Sequence, residues 1–215
     1  MALLNASDQL NARPPWVAIV GVDGSGKSAV IQQILRHHQS ELAAEIIVLE
    51  RARKAAPAGQ PIQNYARPPH APLVSIAKLC WVALRWQLEY RRKYRSLRCC
   101  PVLMVSDHCY FAGMSIDPLR YRYGGPPGLA AWMSRHVPRP HAFIFLDAPF
   151  EVIYARKQEA SPQETRALIE RYRQWAARTP NVFTIDASQP LEQVSTQAAR
   201  QIALILQSPG ADLSR

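Results

Sequence analysis

The sequence is poor in cysteine and contains no long apolar run. Four cysteines in 215 residues, at positions 80, 99, 100 and 109, form no CxxC pair, and the adjacency of Cys99 and Cys100 argues against a bridge between them. We therefore expect reduced thiols and a cytoplasmic protein. The most apolar helical run, residues 73–88, is interrupted by Lys78 and Arg85, so it does not supply the roughly 20 apolar residues of a membrane span. The first ten residues lack a basic leader and an apolar core, and no signal peptide is expected.

Acidic residues are also scarce, with 16 Asp and Glu against 26 Lys and Arg, which gives a net charge of +10. This excess favours an anionic partner, which could be nucleic acid, acidic lipid or a phosphorylated small molecule. Residues 91–98 hold five basic side chains, but no recognised nucleic-acid motif accompanies them. We interpret that run as the exposed end of a helix and do not expect a nucleic-acid interface.

Five short apolar runs alternate with helical patterns. The runs, at residues 17–20, 46–49, 102–105, 143–146 and 182–185, are continuous, which is typical of parallel strands buried on both faces. Helices are predicted over residues 26–38, 72–95, 128–137, 150–157 and 163–178, and from 191 onwards. Ser161 and Glu164 fit a capping box at the start of one of them. The pattern predicts one α/β domain over residues 15–207, a loop at 55–72, and flexible ends at 1–14 and 208–215.

The strongest motif spans residues 21–28, GVDGSGKS, and fits G-x-x-x-x-G-K-[ST] between a strand and a helix. Glycines allow a tight turn whose amides, with the start of the helix, form an anion nest. Lys27 is predicted to reach the β- and γ-phosphates and Ser28 to bind Mg²⁺. The nucleotide-binding residues predicted here are Gly21, Gly24, Ser25, Gly26, Lys27, Ser28 and Ala29. An acid at the end of a neighbouring strand should assist with the metal; Asp107 is the first candidate and Asp147 the second.

Four ordered segments resemble the thymidylate kinase family: GVDGSGKS after the first strand, VLMVSD-H-C-Y, FIFLDAPFEVIYARK and FTIDASQPLEQV. The segment DPLRYRYGGP at residues 117–126 resembles a bacterial branch of that family. The resemblance implies a P-loop NTPase fold, three-layer α/β/α with a five-stranded parallel sheet. It also implies ATP and Mg²⁺ as the donor pair, a nucleoside monophosphate such as dTMP as acceptor, and a homodimer as one option.

The resemblance also implies roles for individual residues. Asp23 matches an acid of the phosphate loop near the acceptor sugar and the transferred group. Asp107 and Tyr110 match positions of the D-R-Y motif, and Arg156 matches the start of a lid over residues 156–162. Ala187 and Ser188 match the segment beside the adenine ring.

Two departures from the family pattern concern the acceptor. His108 stands where the family has the arginine of D-R-Y, and imidazole is mostly neutral at pH 7. Pro127 replaces an arginine of the thymine-binding motif. Other cations would have to bind the acceptor phosphate, and the candidates are Arg85 on the long helix, Arg51 after the second strand, and Arg122 in the YRYGG segment, together with His108 itself.

Two alternatives remain open from the sequence. The acceptor could be a sugar or another phosphorylated metabolite, because the acceptor motifs are altered. The chain could instead be a nucleotide-binding regulatory protein without transfer activity, because His108 replaces an arginine.

Overall fold

The sheet is centred on β1 (Trp16–Val20), whose five apolar residues are all buried. The computed structural model describes residues 15–39, 42, 45–49, 68–96, 102–106, 116–118, 121–158 and 160–207. The other strands are β2 (Glu45–Leu49), β3 (Val102–Ser106), β4 (Ala142–Asp147) and β5 (Val182–Asp186). All pairings are parallel, and the sheet order is β2-β3-β1-β4-β5. The predicted α/β fold with a parallel sheet is confirmed.

Helices cover both faces of this sheet. They are α1 (Lys27–Gln33), which continues as a π-helical turn over Ile34–His38, α2 (Pro72–Ser96), α3 (Pro127–His136), α4 (Phe150–Arg156), α5 (Pro162–Arg178) and α6 (Leu191–Gln207). Val17 and Ile19 join a core with the buried residues of α1 and α6. Ala18 and Val20 project to the opposite face and pack with Tyr172 of α5 and its neighbours, since successive strand side chains alternate.

The predicted capping box of α5 is confirmed. The Ser161 hydroxyl accepts from the Glu164 N–H at 3.3 Å, and the Glu164 carboxylate accepts from the Ser161 N–H at 3.0 Å. Such a cap contributes about 1 kcal/mol, so it fixes where the chain re-enters helix after α4. In the described part of the chain, no helix is long and apolar enough to cross a membrane.

The parallel strands place their carboxyl ends at one edge of the sheet. Val20, the last residue of β1, pairs with Phe145 of β4, and Asp147 pairs with Asp186 of β5. The loops that follow β1, β4 and β5 therefore meet at this edge, where ligands of open α/β sheets bind. The predicted flexible ends, most of the predicted loop at 55–72, and Cys99, Cys100 and Cys109 lie outside the described residues.

Candidate active site

The loop between β1 and α1 is a tight turn that depends on glycine. The Ser25 N–H donates to the Val22 carbonyl at 3.0 Å. Gly24 and Gly26 have φ of +96° and +92°, a left-handed region that glycine adopts without steric cost. A Cβ at Gly24 would lie 2.8 Å from the Ile153 carbonyl oxygen of α4. The first N–H groups of α1, which lack helical partners, follow directly from this loop and are available to an anion.

Lys27 folds back across the same loop. Its ammonium donates to the carbonyls of Gly21 and Val22, both at 3.0 Å, and lies 3.5 Å from Asp23 Oδ1. The side chains of Lys27 and Asp23 are only 12% and 16% exposed, so solvent screens this charge weakly. Lys27 and Asp23, predicted separately, therefore form one ion pair on the loop.

The two serines of the loop differ in whether a ligand can reach their hydroxyl groups. Ser28 is exposed at the start of α1, next to exposed Ala29. Ser25 is 1% exposed, and its hydroxyl makes no hydrogen bond within the described part of the chain. Ser28 can offer its hydroxyl to a metal, whereas Ser25 can offer a bound nucleotide only its backbone.

The segment after β5 lies against α4. The Ala187 N–H donates to the Asp147 carbonyl at 2.6 Å, and Arg156 Nη1 donates to the Ala187 carbonyl at 3.0 Å. The structure thus joins the predicted lid cation to the segment predicted beside the adenine. The Ser188 N–H and hydroxyl both donate to Asp186 Oδ1, at 2.9 and 2.6 Å, and these hydrogen bonds lower the pKa of Asp186.

Asp147, the second candidate for a metal-assisting acid, is held by an arginine. Arg173 Nε of α5 lies 2.9 and 3.2 Å from its two carboxylate oxygens. An acid at a strand end is as often a structural partner as a metal ligand, and Asp147 already has such a partner.

Two of the residues predicted to bind the acceptor lie on α2 and in the segment 121–126. Arg122 has φ of +51°, and its Nε donates to the Pro68 carbonyl at 3.0 Å. Arg85 is exposed, with its guanidinium carbon 5.4 Å from the Trp81 ring centroid. The next residue, Trp86, packs at 5.7 Å on Trp16, the first residue of β1. Arg85 is therefore level with the amino end of β1, a strand length from the phosphate loop.

The model of the thymidylate kinase family matches residues 19–198. The chain belongs to the thymidylate kinase family. This confirms the family resemblance of the four sequence segments.

Several relatives carry the same name. The thymidylate kinase of Latilactobacillus sakei is 26% identical over 206 residues, covering 87% of this chain and 94% of that protein. The thymidylate kinase of Blochmanniella floridana is 25% identical over 199 residues, covering 83% and 90%. A match to the thymidylate kinase of Alcanivorax borkumensis is 46% identical over 72 residues, but it spans only 29% of this chain and 35% of that protein.

The fold matches that of a solved thymidylate kinase from Candida albicans. The TM-score is 0.60 at 18% sequence identity, over 90% of this chain and 93% of that one. At that identity the likeness concerns the fold, and it agrees with the parallel sheet and its flanking helices.

Within this family framework, the structure brings together the donor half of the predicted site. Lys27 and Asp23 form one group on the phosphate loop, and Arg156 with Ala187 forms another at the same edge. Asp107, His108, Tyr110 and Arg51 lie outside the described residues, so their roles stay predictions.

Two groups that the sequence does not connect with Arg122, namely His70 and Lys78, lie near it. The Arg122 carbonyl accepts from the His70 N–H at 2.9 Å, and the Tyr121 carbonyl accepts from Lys78 Nζ at 3.4 Å. Lys78 and Arg85 are seven residues apart on α2, which indicates that they lie on one face of the helix. The spacing does not indicate which end of α2 lies at the site.

Proposed function

We propose that this protein transfers the γ-phosphoryl group of ATP to dTMP, giving dTDP and ADP. The main support is the position of the Lys27 ammonium, which is held over Gly21–Asp23 in a phosphate loop between β1 and α1. The chain that carries this loop belongs to the thymidylate kinase family. The protein is a nucleotide kinase in this proposal, and the family match favours neither a sugar kinase nor a non-catalytic nucleotide binder.

On the donor side, the backbone amides of residues 24–28 and the start of α1 bind the β- and γ-phosphates. Lys27 supplies positive charge where negative charge moves during transfer, and a fixed charge of low exposure acts strongly there. Arg156 adds a second cation from the end of α4, and Ala187 and Ser188 lie beside the adenine.

The residues present fit a magnesium ion, which prefers oxygen ligands. Ser28 offers an exposed hydroxyl at the mouth of the loop, and Asp107 would assist from the end of β3. A bound Mg²⁺ would neutralise negative charge on the phosphates of ATP.

The chemistry on the acceptor side needs no strong base. The attacking group is a phosphate oxygen of dTMP, which is already ionised at pH 7, and its bond to the γ-phosphorus forms as the bond to the ADP oxygen breaks. The protein positions the two nucleotides in line and stabilises charge. Asp23, fixed by Lys27, would orient the acceptor sugar near the transferred group.

The test is ADP release with ATP, Mg²⁺ and a panel of acceptors. We expect turnover with dTMP and its loss in Lys27→Met, whereas Arg178→Gln, an equal charge change at the exposed end of α5, should retain it. ATP binding without turnover of any nucleoside monophosphate, or phosphorylation of a sugar alone, would overturn the proposal.

We further propose that the protein is a homodimer and acts in the cytoplasm, where an exposed thiol such as that of Cys80 stays reduced. Val74, Trp81 and Leu88 are 53%, 58% and 58% exposed, and their seven-residue spacing gives α2 one apolar outer face that a second copy could cover. Light scattering should report a dimer that Leu84→Glu dissociates, while Leu191→Glu on α6 should not. A wild-type monomer at tens of micromolar would contradict this assembly.

A further inference from the structure

Three basic side chains from three segments converge beside the start of α2. His70 precedes α2 in the segment 68–70, Lys78 lies in the second turn of α2, and Arg122 belongs to the segment 121–126. The His70 N–H donates to the Arg122 carbonyl at 2.9 Å, Arg122 Nε donates to the Pro68 carbonyl at 3.0 Å, and Lys78 Nζ donates to the Tyr121 carbonyl at 3.4 Å. These contacts bring the three segments together, and the charges of Lys78 and Arg122 act on the His70 imidazole. We call His70, Lys78 and Arg122 the basic cluster.

A buried serine holds the cluster together. Ser75 is 1% exposed. Its hydroxyl donates to the His70 carbonyl at 3.2 Å and accepts from the Gly124 N–H at 3.0 Å. Gly124 packs so closely on the His70 carbonyl that no side chain would fit there. The segments 68–70 and 121–126 are thus locked to α2 by contacts of Ser75 that do not involve the side chains of the cluster residues.

The backbone of Arg122 is strained, with φ of +51°. A non-glycine residue rarely adopts this region, and such strain is concentrated at functional sites. Arg122 Nε is bound to the Pro68 carbonyl, and the two terminal nitrogens form the other edge of the guanidinium. That edge has the fork geometry that matches a phosphate.

The axial position of α2 places the cluster level with the phosphate loop. Trp86 and Tyr90 of α2 pack on Trp16, at the amino end of β1, with ring centroids 5.7 and 5.8 Å apart. Lys78 precedes Trp86 by eight residues, which is about 12 Å of helix. Gly21 follows Trp16 by five residues, which is about 16 Å of strand. Because α2 leads into β3, a strand parallel to β1, it runs antiparallel to β1, and its first turns lie at the carboxyl edge.

The local charge also favours an anion. Desolvation, followed by the charges of Arg122 and Lys78, holds the pKa of His70 below its usual range. Asp117, an acidic residue of the neighbouring segment 116–118, is 2% exposed and its side chain or backbone already has an interaction partner. An anion brought to the cluster would pair with the ammonium of Lys78 and the guanidinium of Arg122, and its charge would offset theirs at the His70 imidazole.

We propose that His70, Lys78 and Arg122, locked in place by Ser75, bind a phosphomonoester, and that this is the phosphate of the acceptor nucleotide. The assignment to the acceptor rests on the proposed function. Lys78 and Arg122 supply the positive charge that His108 does not, and the proposal moves the acceptor-phosphate contact from Arg85 to the first half of α2.

Steady-state kinetics of Lys78→Gln and Arg122→Gln test the assignment. Each charge-assisted hydrogen bond to phosphate makes a difference of about 10- to 100-fold in affinity. We expect the KM for dTMP to rise by that factor with the KM for ATP unchanged, and Lys78→Arg to recover much of the loss. Arg178→Gln is the charge-matched control, and Arg85→Gln is the competing assignment. A larger effect at Arg85 than at Lys78 and Arg122 would overturn the proposal.

Direct binding separates the possible sources of the phosphate. The ring resonances of His70 are followed by NMR during titration with dTMP, thymidine and inorganic phosphate. Shifts with dTMP and with phosphate, but not with thymidine, support the site. Shifts with phosphate together with an unchanged KM for dTMP would show another phosphorylated ligand and overturn the acceptor assignment, and no shift with either anion would overturn the site. These titrations test the binding site even if the wild-type protein does not phosphorylate dTMP. A lack of turnover would refute only the proposed function.

Discussion

Gly24 and Gly26 offer a test of what shapes the phosphate loop, because their backbones are alike and their surroundings are not. Their φ values are +96° and +92°, so an alanine at either site costs about 1–2 kcal/mol in left-handed strain. A Cβ at Gly24 would lie 2.8 Å from the Ile153 carbonyl oxygen and 3.3 Å from Lys157 Cβ, whereas a Cβ at Gly26 meets nothing within 4 Å.

The difference between the two variants therefore isolates the steric conflict. The Ile153 carbonyl accepts from the Lys157 N–H at 3.0 Å, so α4 cannot yield without disturbing its last turn. Overpacking of this kind costs about 1–3 kcal/mol. We expect Gly26→Ala to lose about 1–2 kcal/mol and Gly24→Ala about 2–5 kcal/mol of unfolding free energy.

Urea unfolding followed by circular dichroism measures both losses. Gly128→Ala is the control, because no atom lies within 4 Å of its added Cβ and its φ is not positive; it should be neutral or stabilise by up to about 1 kcal/mol. In a chain of this length each kcal/mol shifts Tm by about 2–4 °C, so thermal melts provide an independent check. If Gly24→Ala were no more destabilising than Gly26→Ala, the packing of the loop against α4 would be refuted.

Three further predictions concern charged groups. Lys27→Met should lower kcat/KM by about 10²- to 10³-fold, because it removes a fixed cation from the transferred phosphate; near-normal turnover in the ADP-release assay would contradict this role. The side chains of Asp147 and Arg173 are 24% and 45% exposed, so solvent screens this ion pair. A double-mutant cycle of Asp147→Asn and Arg173→Gln should give a coupling energy below about 1 kcal/mol. A coupling energy of about 2 kcal/mol or more would contradict the screening by solvent. Hydrogen bonds from Ser188 lower the pKa of Asp186 from 3.8, so their stabilisation is present above that pH and is lost as pH falls through the folded pKa. The stability difference between wild type and Ser188→Ala should therefore shrink on acidification in urea titrations, and a difference that grew would reverse the sign of the argument.

Local chemistry accounts for most of the fold that sequence could predict. The run at residues 17–20 is apolar at every position because β1 is covered by helices on both faces. Ser161 and Glu164 indicate where α5 begins, because a capping box involves only residues that are close in the chain. The glycine-rich loop was predictable for the same reason, since its backbone conformation and its anion nest are set within residues 21–28.

Contacts between segments that are far apart in the chain could not be predicted from the sequence. The π-helical turn that follows α1 has no composition signal, and Asp147 could not be distinguished from a metal-assisting acid until Arg173 was found on it. Both features depend on what other elements place nearby.

The long helix α2 shows most clearly why a correctly predicted element leaves the choice of site residues open. Its bounds were predicted to within one residue, and the common face of Lys78 and Arg85 follows from their seven-residue spacing. Periodicity fixes the angle of a side chain around a helix but contains no information about height along it. That height is set by a non-local contact, the packing of Trp86 and Tyr90 on Trp16. This contact puts Lys78 rather than Arg85 level with the carboxyl edge of the sheet, and for that reason we propose Lys78 rather than Arg85 as the cation for an acceptor bound beside the phosphate loop.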